Sequence, residues 1–133
     1  MWSWLRSKHR AIEAPLRGAQ PSPRQKTYSA ATGYVYQYVY RGQRTTGKAQ
    51  EFVFSVTRDR KSYFAIRVIL SEEALEEWRA SAGRELLDAE RYAIAKMTLF
   101  DVFDEVSDPQ QLLEPMEPTP SKIQQQLERL GRA

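Results

Sequence analysis

The chain has 133 residues, of which 41% are hydrophobic and 28% are charged, and this is the composition of one globular domain. Its net charge is only +3, and the absence of cysteine excludes disulfide frameworks and thiolate metal sites. No secretory pattern follows the N-terminal MWSWLRSKHR and no apolar run approaches the about 20 residues that span a bilayer, so we expect a cytoplasmic protein without integral membrane association.

Residues 1–31 are expected to form a flexible, basic N-terminal arm. Trp2, Leu5 and Ile12 have the spacing of one helix face, but the prolines and the glycine that follow them interrupt any continuation. We therefore place the ordered part of the chain after this arm and predict a core domain over residues 32–107.

The core domain begins with three predicted strands that form an antiparallel meander. The first covers residues 34–41, where aromatic and β-branched residues alternate with a period of two. Residues 51–58 and 63–70 show the same period, after a polar loop at residues 42–50 and a compact turn at residues 59–61. The inward faces of the second and third strands are predicted to carry Phe52, Phe54, Val56, Phe64, Ile66, Val68 and Leu70.

Two helices are predicted to follow the strands and to pack on one face of the sheet. Ser71 offers an N-cap hydroxyl for a short helix over residues 72–82, and Gly83 is suited to end it. A longer helix is predicted to start after Asp88, as its N-cap, and to reach about Val106. The core residues expected from these two helices are Leu75, Trp78, Ala93, Ile94, Met97, Phe100 and Phe103.

The C-terminal part is predicted to be a proline-rich linker, residues 108–120, and a short amphipathic helix, residues 121–133. Ser121 with Gln124 matches a capping box. Because a helix of about 10 residues is marginal in isolation, it must dock on this chain, on a second copy or on a partner. The predicted fold class is thus α+β, a three-stranded meander and two helices with an N-terminal arm and a proline-linked C-terminal helix.

Catalytic and metal-binding patterns are missing from the sequence. The single histidine, His9, has Lys8 and Arg10 as neighbours and no second metal ligand nearby. Phosphate-loop, dinucleotide-binding and nucleophile-elbow motifs are also missing. The carboxylates Asp101, Asp104, Glu105 and Asp108 lack the spacing and the central glycine of a calcium loop, so they indicate a solvated acidic face. We therefore expect a protein that is not an enzyme and has no metal ion or cofactor.

Four tyrosines, Tyr34, Tyr36, Tyr38 and Tyr40, lie on one face of the first predicted strand. Facing outward they would form a stacking platform for single-stranded nucleic acid, whereas the more polar opposite face favours an inward, core position. Basic residues occupy the loops at both ends of the sheet. The residues of this candidate nucleic-acid surface are Tyr36, Tyr38, Arg41, Arg44, Lys48, Arg58, Arg60 and Lys61.

The function that we prefer from sequence is a non-enzymatic protein-interaction module, an adaptor or scaffold, with nucleic-acid binding as the alternative. Residues 1–61 carry 12 Lys and Arg against 3 Asp and Glu, and residues 62–133 carry 8 against 14, which favours an acidic partner or neutralisation within the fold. The longer helix also has more apolar residues than one face can bury. Candidate contacts for a partner protein or for self-association are Ile123, Leu127, Leu130, Tyr92 and Leu99.

Overall fold

The computed structural model describes residues 14–112 and 114–132. These residues form an antiparallel sheet of four strands in the order β1-β2-β3-β4, followed by three α-helices, so the predicted α+β class is confirmed. No helix within these ranges is long and apolar enough to cross a membrane. The elements are β1 (Lys26–Ser29), β2 (Val35–Thr46), β3 (Ala49–Thr57), β4 (Phe64–Leu70), α1 (Glu72–Ala82), α2 (Asp88–Glu105), a 3-10 turn (Pro109–Gln111) and α3 (Pro120–Arg129).

The prediction of three strands is wrong, because β1 adds a fourth strand to the described sheet. It pairs antiparallel with β2, from Lys26 opposite Tyr38 to Ser29 opposite Val35. β1 is short and has one large apolar residue, Tyr28, so it lacks the alternation that marks a strand in sequence. Part of the predicted arm therefore lies in the sheet. The helix predicted around Trp2, Leu5 and Ile12 lies outside the described residues, as does His9.

β2 and β3 are longer than predicted and replace most of the loop expected at residues 42–50. A β-bulge at Arg41 lets β2 continue to Thr46, which pairs with Ala49 across a two-residue turn. Gly42 makes the bulge possible, because its φ of 114° lies in the region that side chains disfavour. A Cβ atom there would lie 2.6 Å from the carbonyl oxygen of Arg17, whose backbone exchanges two hydrogen bonds with that of Gln43.

The core lies between one face of the sheet and the helices. The predicted inward residues of β3 and β4 are buried there, with Phe64 partly buried, and Tyr36 and Tyr38 of β2 join them. On α2 the buried stripe is Ile94, Ala95, Thr98, Leu99, Val102 and Phe103. The prediction is confirmed for Ile94 and Phe103, whereas Ala93, Met97 and Phe100 are only partly buried. The stripe is displaced because α2 packs against α3 as well as against the sheet.

Helix α1 has the ends that its sequence predicts. The Ser71 hydroxyl accepts a hydrogen bond from the Ala74 backbone N–H at 3.1 Å. Gly83 has a φ of 78° and donates its backbone N–H to the Arg79 carbonyl oxygen at 2.8 Å. Both features satisfy backbone groups that a helix end leaves without partners.

Helices α2 and α3 each begin at a different residue from the one predicted. Leu87, rather than Asp88, is the N-cap of α2. Helix α3 starts at Pro120, and the hydroxyl of Thr119, rather than that of Ser121, accepts a hydrogen bond from the Lys122 backbone N–H at 3.1 Å. Proline suits the first position of a helix, because its missing N–H has no partner there in any case.

Helix α3 docks on this chain's own core. Ile123 and Leu127 are fully buried, and α3 contacts both α1 and α2. The indole N–H of Trp78 donates to the side-chain oxygen of Gln124 at 2.9 Å and so joins α1 to α3. The apolar surplus of α2 that suggested an external partner is thus covered by a helix of the same molecule.

Tyr36 gives a test of the core that depends on a single hydroxyl group. Its ring is fully buried and stacks on Phe103, with centroids 4.2 Å apart, but its hydroxyl has no hydrogen-bond partner within the described chain. Because burying such a group costs about 1 to 3 kcal/mol, Tyr36→Phe is expected to preserve the free energy of unfolding or to raise it by about 1 kcal/mol. Urea unfolding measures the change.

The matched control for that variant is Tyr28→Phe. The Tyr28 hydroxyl donates to Asp104 Oδ2 at 2.8 Å, so its removal is expected to lower the free energy of unfolding by about 1 kcal/mol. Equal losses in the two variants would contradict the assignment of an unsatisfied hydroxyl to Tyr36.

Candidate functional site

Most of the residues predicted to contact a partner protein are internal. Ile123, Leu127 and Leu99 are fully buried, so they do not form a surface that a partner could reach in this fold. Leu130, at the end of α3, is 38% exposed, and Tyr92 is partly buried against Tyr40. The predicted apolar contact surface is therefore corrected to two separate residues.

The tyrosine face of β2 is directed inward, as its polar opposite face favoured. Tyr36 and Tyr38 are buried, and Tyr40 is partly buried against Phe54. Tyr34, at the strand end, is 48% exposed. Tyr36 and Tyr38 are therefore core residues and are not available as a stacking platform for bases.

The predicted basic surface is divided by ion pairs. Arg44 Nε lies 2.6 Å from Glu51 Oε1, and Arg67 Nη1 lies 3.0 Å from the other oxygen of the same carboxylate. Lys48 is exposed near Glu76. The hydrogen bond from Arg79 is the main cause of the lowered pKa of the Glu76 carboxyl, and the charge of Lys48 lowers it further. The positive charges near the β2–β3 turn are thus opposed by nearby carboxylates. Arg41 is exposed at the bulge.

The acidic residues at the end of α2 also have partners within the chain. Asp101 lies between Lys122 and Arg129 of α3, at 3.4 and 3.6 Å. Asp104 accepts from the Tyr28 hydroxyl and from the Ala31 backbone N–H at 2.9 Å. Among the described residues, no group of three potential ligands could hold a metal ion.

Arg58 is held in place at the other end of the sheet. Its guanidinium carbon lies 4.4 Å from the centre of the Tyr34 ring. Its Nη1 donates to the Ser107 carbonyl oxygen at 3.0 Å, and its Nη2 lies 3.5 Å from Asp108 Oδ1. Cation–π contact and hydrogen bonds together fix an arginine and a tyrosine side by side.

The turn that follows Arg58 is also fixed, by the carboxylate of Asp59. Asp59 Oδ1 accepts from the backbone N–H groups of Lys61 and Ser62, both at 2.8 Å, and these bonds lower its pKa. Arg60 has a φ of 64°, and its backbone N–H donates to the Thr57 hydroxyl at 3.0 Å. The backbone of the turn that carries the exposed side chains of Arg60 and Lys61 is therefore fixed.

Three large apolar residues are exposed at this same end of the sheet. Tyr34, Val35 and Tyr63 are 48%, 45% and 52% exposed. The register, with Gln37 opposite Thr57 and Val56 opposite Phe64, brings the start of β2 and the start of β4 to the β3–β4 turn. We call this area the basic turn surface; it consists of Tyr34, Val35, Arg58, Arg60, Lys61 and Tyr63.

A second group of charged and aromatic residues surrounds Lys96 on α2. Its Nζ lies 5.9, 5.8 and 5.7 Å from the ring centres of Tyr38, Tyr92 and Phe100. Burial lowers the pKa of Lys96, and the neighbouring Lys26 lowers it further. We call this group the Lys96 cluster. The cluster was not predicted from the sequence, although the spacing of four between Tyr92, Lys96 and Phe100 places them on one helix face.

Comparison with protein-family models found no matching family, and searches of the curated proteins and of the solved structures found no match. A functional proposal for this chain therefore depends on the geometry of its own residues.

Proposed function

We propose that the chain is a non-enzymatic protein-interaction module that binds an acidic partner protein through the basic turn surface. The observation that supports this most strongly is the fixed pair of Arg58 and Tyr34, with the guanidinium 4.4 Å from the ring centre. Tyrosine and arginine are enriched among the residues that dominate binding energy in protein interfaces.

The fixed geometry of the surface favours binding. An interface loses free energy for every flexible side chain that it orders, by about 0.5 to 1.5 kcal/mol. Arg58 is already held by Ser107 and Asp108, and the turn that carries Arg60 is already held by Asp59. Arg58 and the turn backbone therefore need little further ordering when a partner docks.

The charge of the surface sets the chemistry of the partner. Arg60 and Lys61 are exposed in the β3–β4 turn, and Tyr34 and Tyr63 are exposed just before the two strands that start at this end of the sheet. Carboxylates of a partner would approach these cations, and its apolar groups would cover the two rings. The expected partner is a protein with an acidic rim around an apolar centre.

The experiment is affinity capture from nuclease-treated lysate of the source cell, followed by titration of the captured protein. Tyr34→Ala combined with Tyr63→Ala, and separately Arg60→Glu combined with Lys61→Glu, are expected to weaken binding at least about tenfold. Lys48→Glu is the matched control, because it changes an exposed lysine at the opposite end of the sheet. A partner that binds all three variants as tightly as wild type would contradict the proposal.

Nucleic-acid binding is the second candidate, and the exposed Tyr34 and Tyr63, at the same end of the sheet as Arg60 and Lys61, favour it. Against it, Tyr36 and Tyr38 are buried and Arg44 is paired with Glu51. Single-stranded and double-stranded oligonucleotides titrated at low and near-physiological salt distinguish the two functions, since phosphate contacts weaken steeply with salt. Tight binding that is lost in the Arg60 and Lys61 variant would replace the protein partner with a nucleic acid.

A further inference from the structure

Two lysines, one on the edge strand β1 and one on α2, lie beside the same tyrosine. Lys26 is the cross-strand partner of Tyr38, and the Lys96 ammonium lies 5.9 Å from the centre of the Tyr38 ring. Burial lowers the pKa of Lys96, and the charge of Lys26 lowers it further. Within the described residues, neither lysine forms an ion pair with a carboxylate. The rings of Tyr38, Tyr92 and Phe100 face the Lys96 ammonium, but aromatic rings supply no full negative charge.

This arrangement is costly when nothing else is bound. Two like charges near each other repel, and partial burial beside the rings reduces the screening by water. Other cations of the described chain have carboxylate partners, as Arg67 has Glu51 and Arg84 has Glu90. An anion placed between Lys26 and Lys96 would turn the repulsion into two attractions.

A small cavity lies beside Lys26. It has a volume of about 70 Å³ and is lined by Gln20, Pro23, Arg24, Lys26, Tyr38 and Tyr40. The space is about twice the share of one water molecule in the liquid, which suits a small anion. Tyr38 connects the cavity to the Lys96 cluster, because its ring lies under the Lys96 ammonium.

The tyrosines keep their hydroxyl protons at neutral pH. Burial raises the pKa of Tyr40 to about 12, with a further contribution from Tyr92. A protonated hydroxyl can donate a hydrogen bond to an anion, whereas a phenolate would repel it. The lining thus combines cations and a neutral donor.

We propose that Arg24 and Lys26, with the hydroxyl of Tyr40, form a binding site for a phosphate group, and that Lys96 adds positive charge to it from beside the Tyr38 ring. A guanidinium presents paired N–H donors that match two oxygens of one phosphate, and the Lys26 ammonium supplies a further charge-assisted hydrogen bond. The site is separate from the basic turn surface, since Lys26 pairs with the middle of β2 at Tyr38 and Tyr34 lies at the end of that strand. It takes either inorganic phosphate or the phosphate of a small monoester, which share this chemistry.

The experiment uses the full chain and calorimetric titration with three probes: sodium phosphate, O-phosphoserine and sodium chloride at matched ionic strength. Saturable binding of phosphate or O-phosphoserine without an effect of chloride is expected. Tighter binding of phosphate identifies the free ion as the ligand, and tighter binding of O-phosphoserine identifies a monoester.

Variants of the site make the test specific. Lys26→Gln and Arg24→Gln change exposed side chains, and each is expected to weaken phosphate binding at least about tenfold. Lys96→Met keeps the apolar stem between the rings and is expected to have the same effect. Lys48→Gln, the control, is expected to bind like wild type. Thermal unfolding of each variant verifies its fold.

Two outcomes would overturn the proposal. One is phosphate binding that is indistinguishable from the chloride response, and the other is phosphate binding that is equal in wild type, in Lys26→Gln and in Arg24→Gln.

Discussion

Phe103→Ala is expected to lower the free energy of unfolding by about 3 to 5 kcal/mol, a large part of the stability of a small domain. Phe103 is fully buried, stacks on Tyr36 and has further ring contacts with Tyr28, Tyr38 and Phe100, with centroids 5.7 to 6.5 Å apart. Its removal would leave a cavity where α2 meets β1 and β2, and stacked rings close around it only in part.

Urea unfolding followed by circular dichroism measures this loss. Tyr63→Ala is the control, because Tyr63 is 52% exposed and its replacement is expected to change the free energy by no more than about 0.5 kcal/mol. A loss below about 1 kcal/mol for Phe103→Ala would mean that the aromatic cluster does not hold α2 on the sheet.

Glu90→Gln is expected to lower the free energy of unfolding by about 2 to 3 kcal/mol at neutral pH. The Glu90 side chain is 2% exposed, and Arg84 donates to both of its oxygens, at 2.9 and 3.0 Å. Arg132 lies 3.2 Å from Oε2, and the Leu87 backbone N–H donates to Oε1 at 2.8 Å. The neutral amide loses the attraction of both guanidiniums but retains the shape of the side chain.

The pH dependence of stability follows from the same carboxylate. The hydrogen bonds from Arg84, with those from Leu87 and Arg132, lower the pKa of Glu90 from its ordinary value of 4.5 to about 2, against the effect of burial. A lowered pKa in the folded state stabilises the fold above the unfolded-state value, and this stabilisation is lost as pH falls from about 4.5 towards 2. Thermal unfolding at several pH values should show wild type and Glu90→Gln converging near pH 2. A difference that stays constant across this range would contradict the role of the charge.

Local patterns in the sequence were sufficient for much of the fold. The alternation of Phe52 with Phe54 and of Ile66 with Val68 predicted their inward positions, because side chains on a strand alternate between the two faces. Ser71 and Gly83 predicted both ends of α1 for a similarly local reason, since each satisfies backbone groups of the adjacent turn.

Features that depend on distant contacts were missed or misplaced. Four residues carry no clear strand signal, and β1 forms because Tyr28 stacks on Phe100, 72 positions away in the chain, with centroids 4.3 Å apart. The apolar face of α3 could be recognised in the sequence, but the surface that covers this face could not. Ile123 and Leu127 are buried in the core of the same molecule, so they are not available for contact with a partner as predicted.

The candidate site was likewise predicted only in part from the sequence. Arg58, Arg60 and Lys61 were recognisable as a basic turn, and the predicted antiparallel meander brings Tyr34 and Tyr63, the first residues of two predicted strands, to the same end of the sheet. The pairing of β2 with β3 confirms this placement of the start of β2. No local pattern indicates that Arg58 lies over the Tyr34 ring, or that Ser107 and Asp108 hold that arginine.

The backbone at the outer edge of β4 affects whether two molecules of this protein can pair through the edges of their sheets. Met116 donates its N–H to the Arg67 carbonyl and accepts from the Ile69 N–H, both at 2.8 Å, so the segment after α2 caps the middle of that edge. On the opposite side, β1 offers a neighbour only four residues, and the backbone of Arg17, bonded to Gln43, interrupts the edge of β2 beyond it. Neither border gives an incoming strand a long ladder to extend, which disfavours templated growth of fibres in concentrated solution.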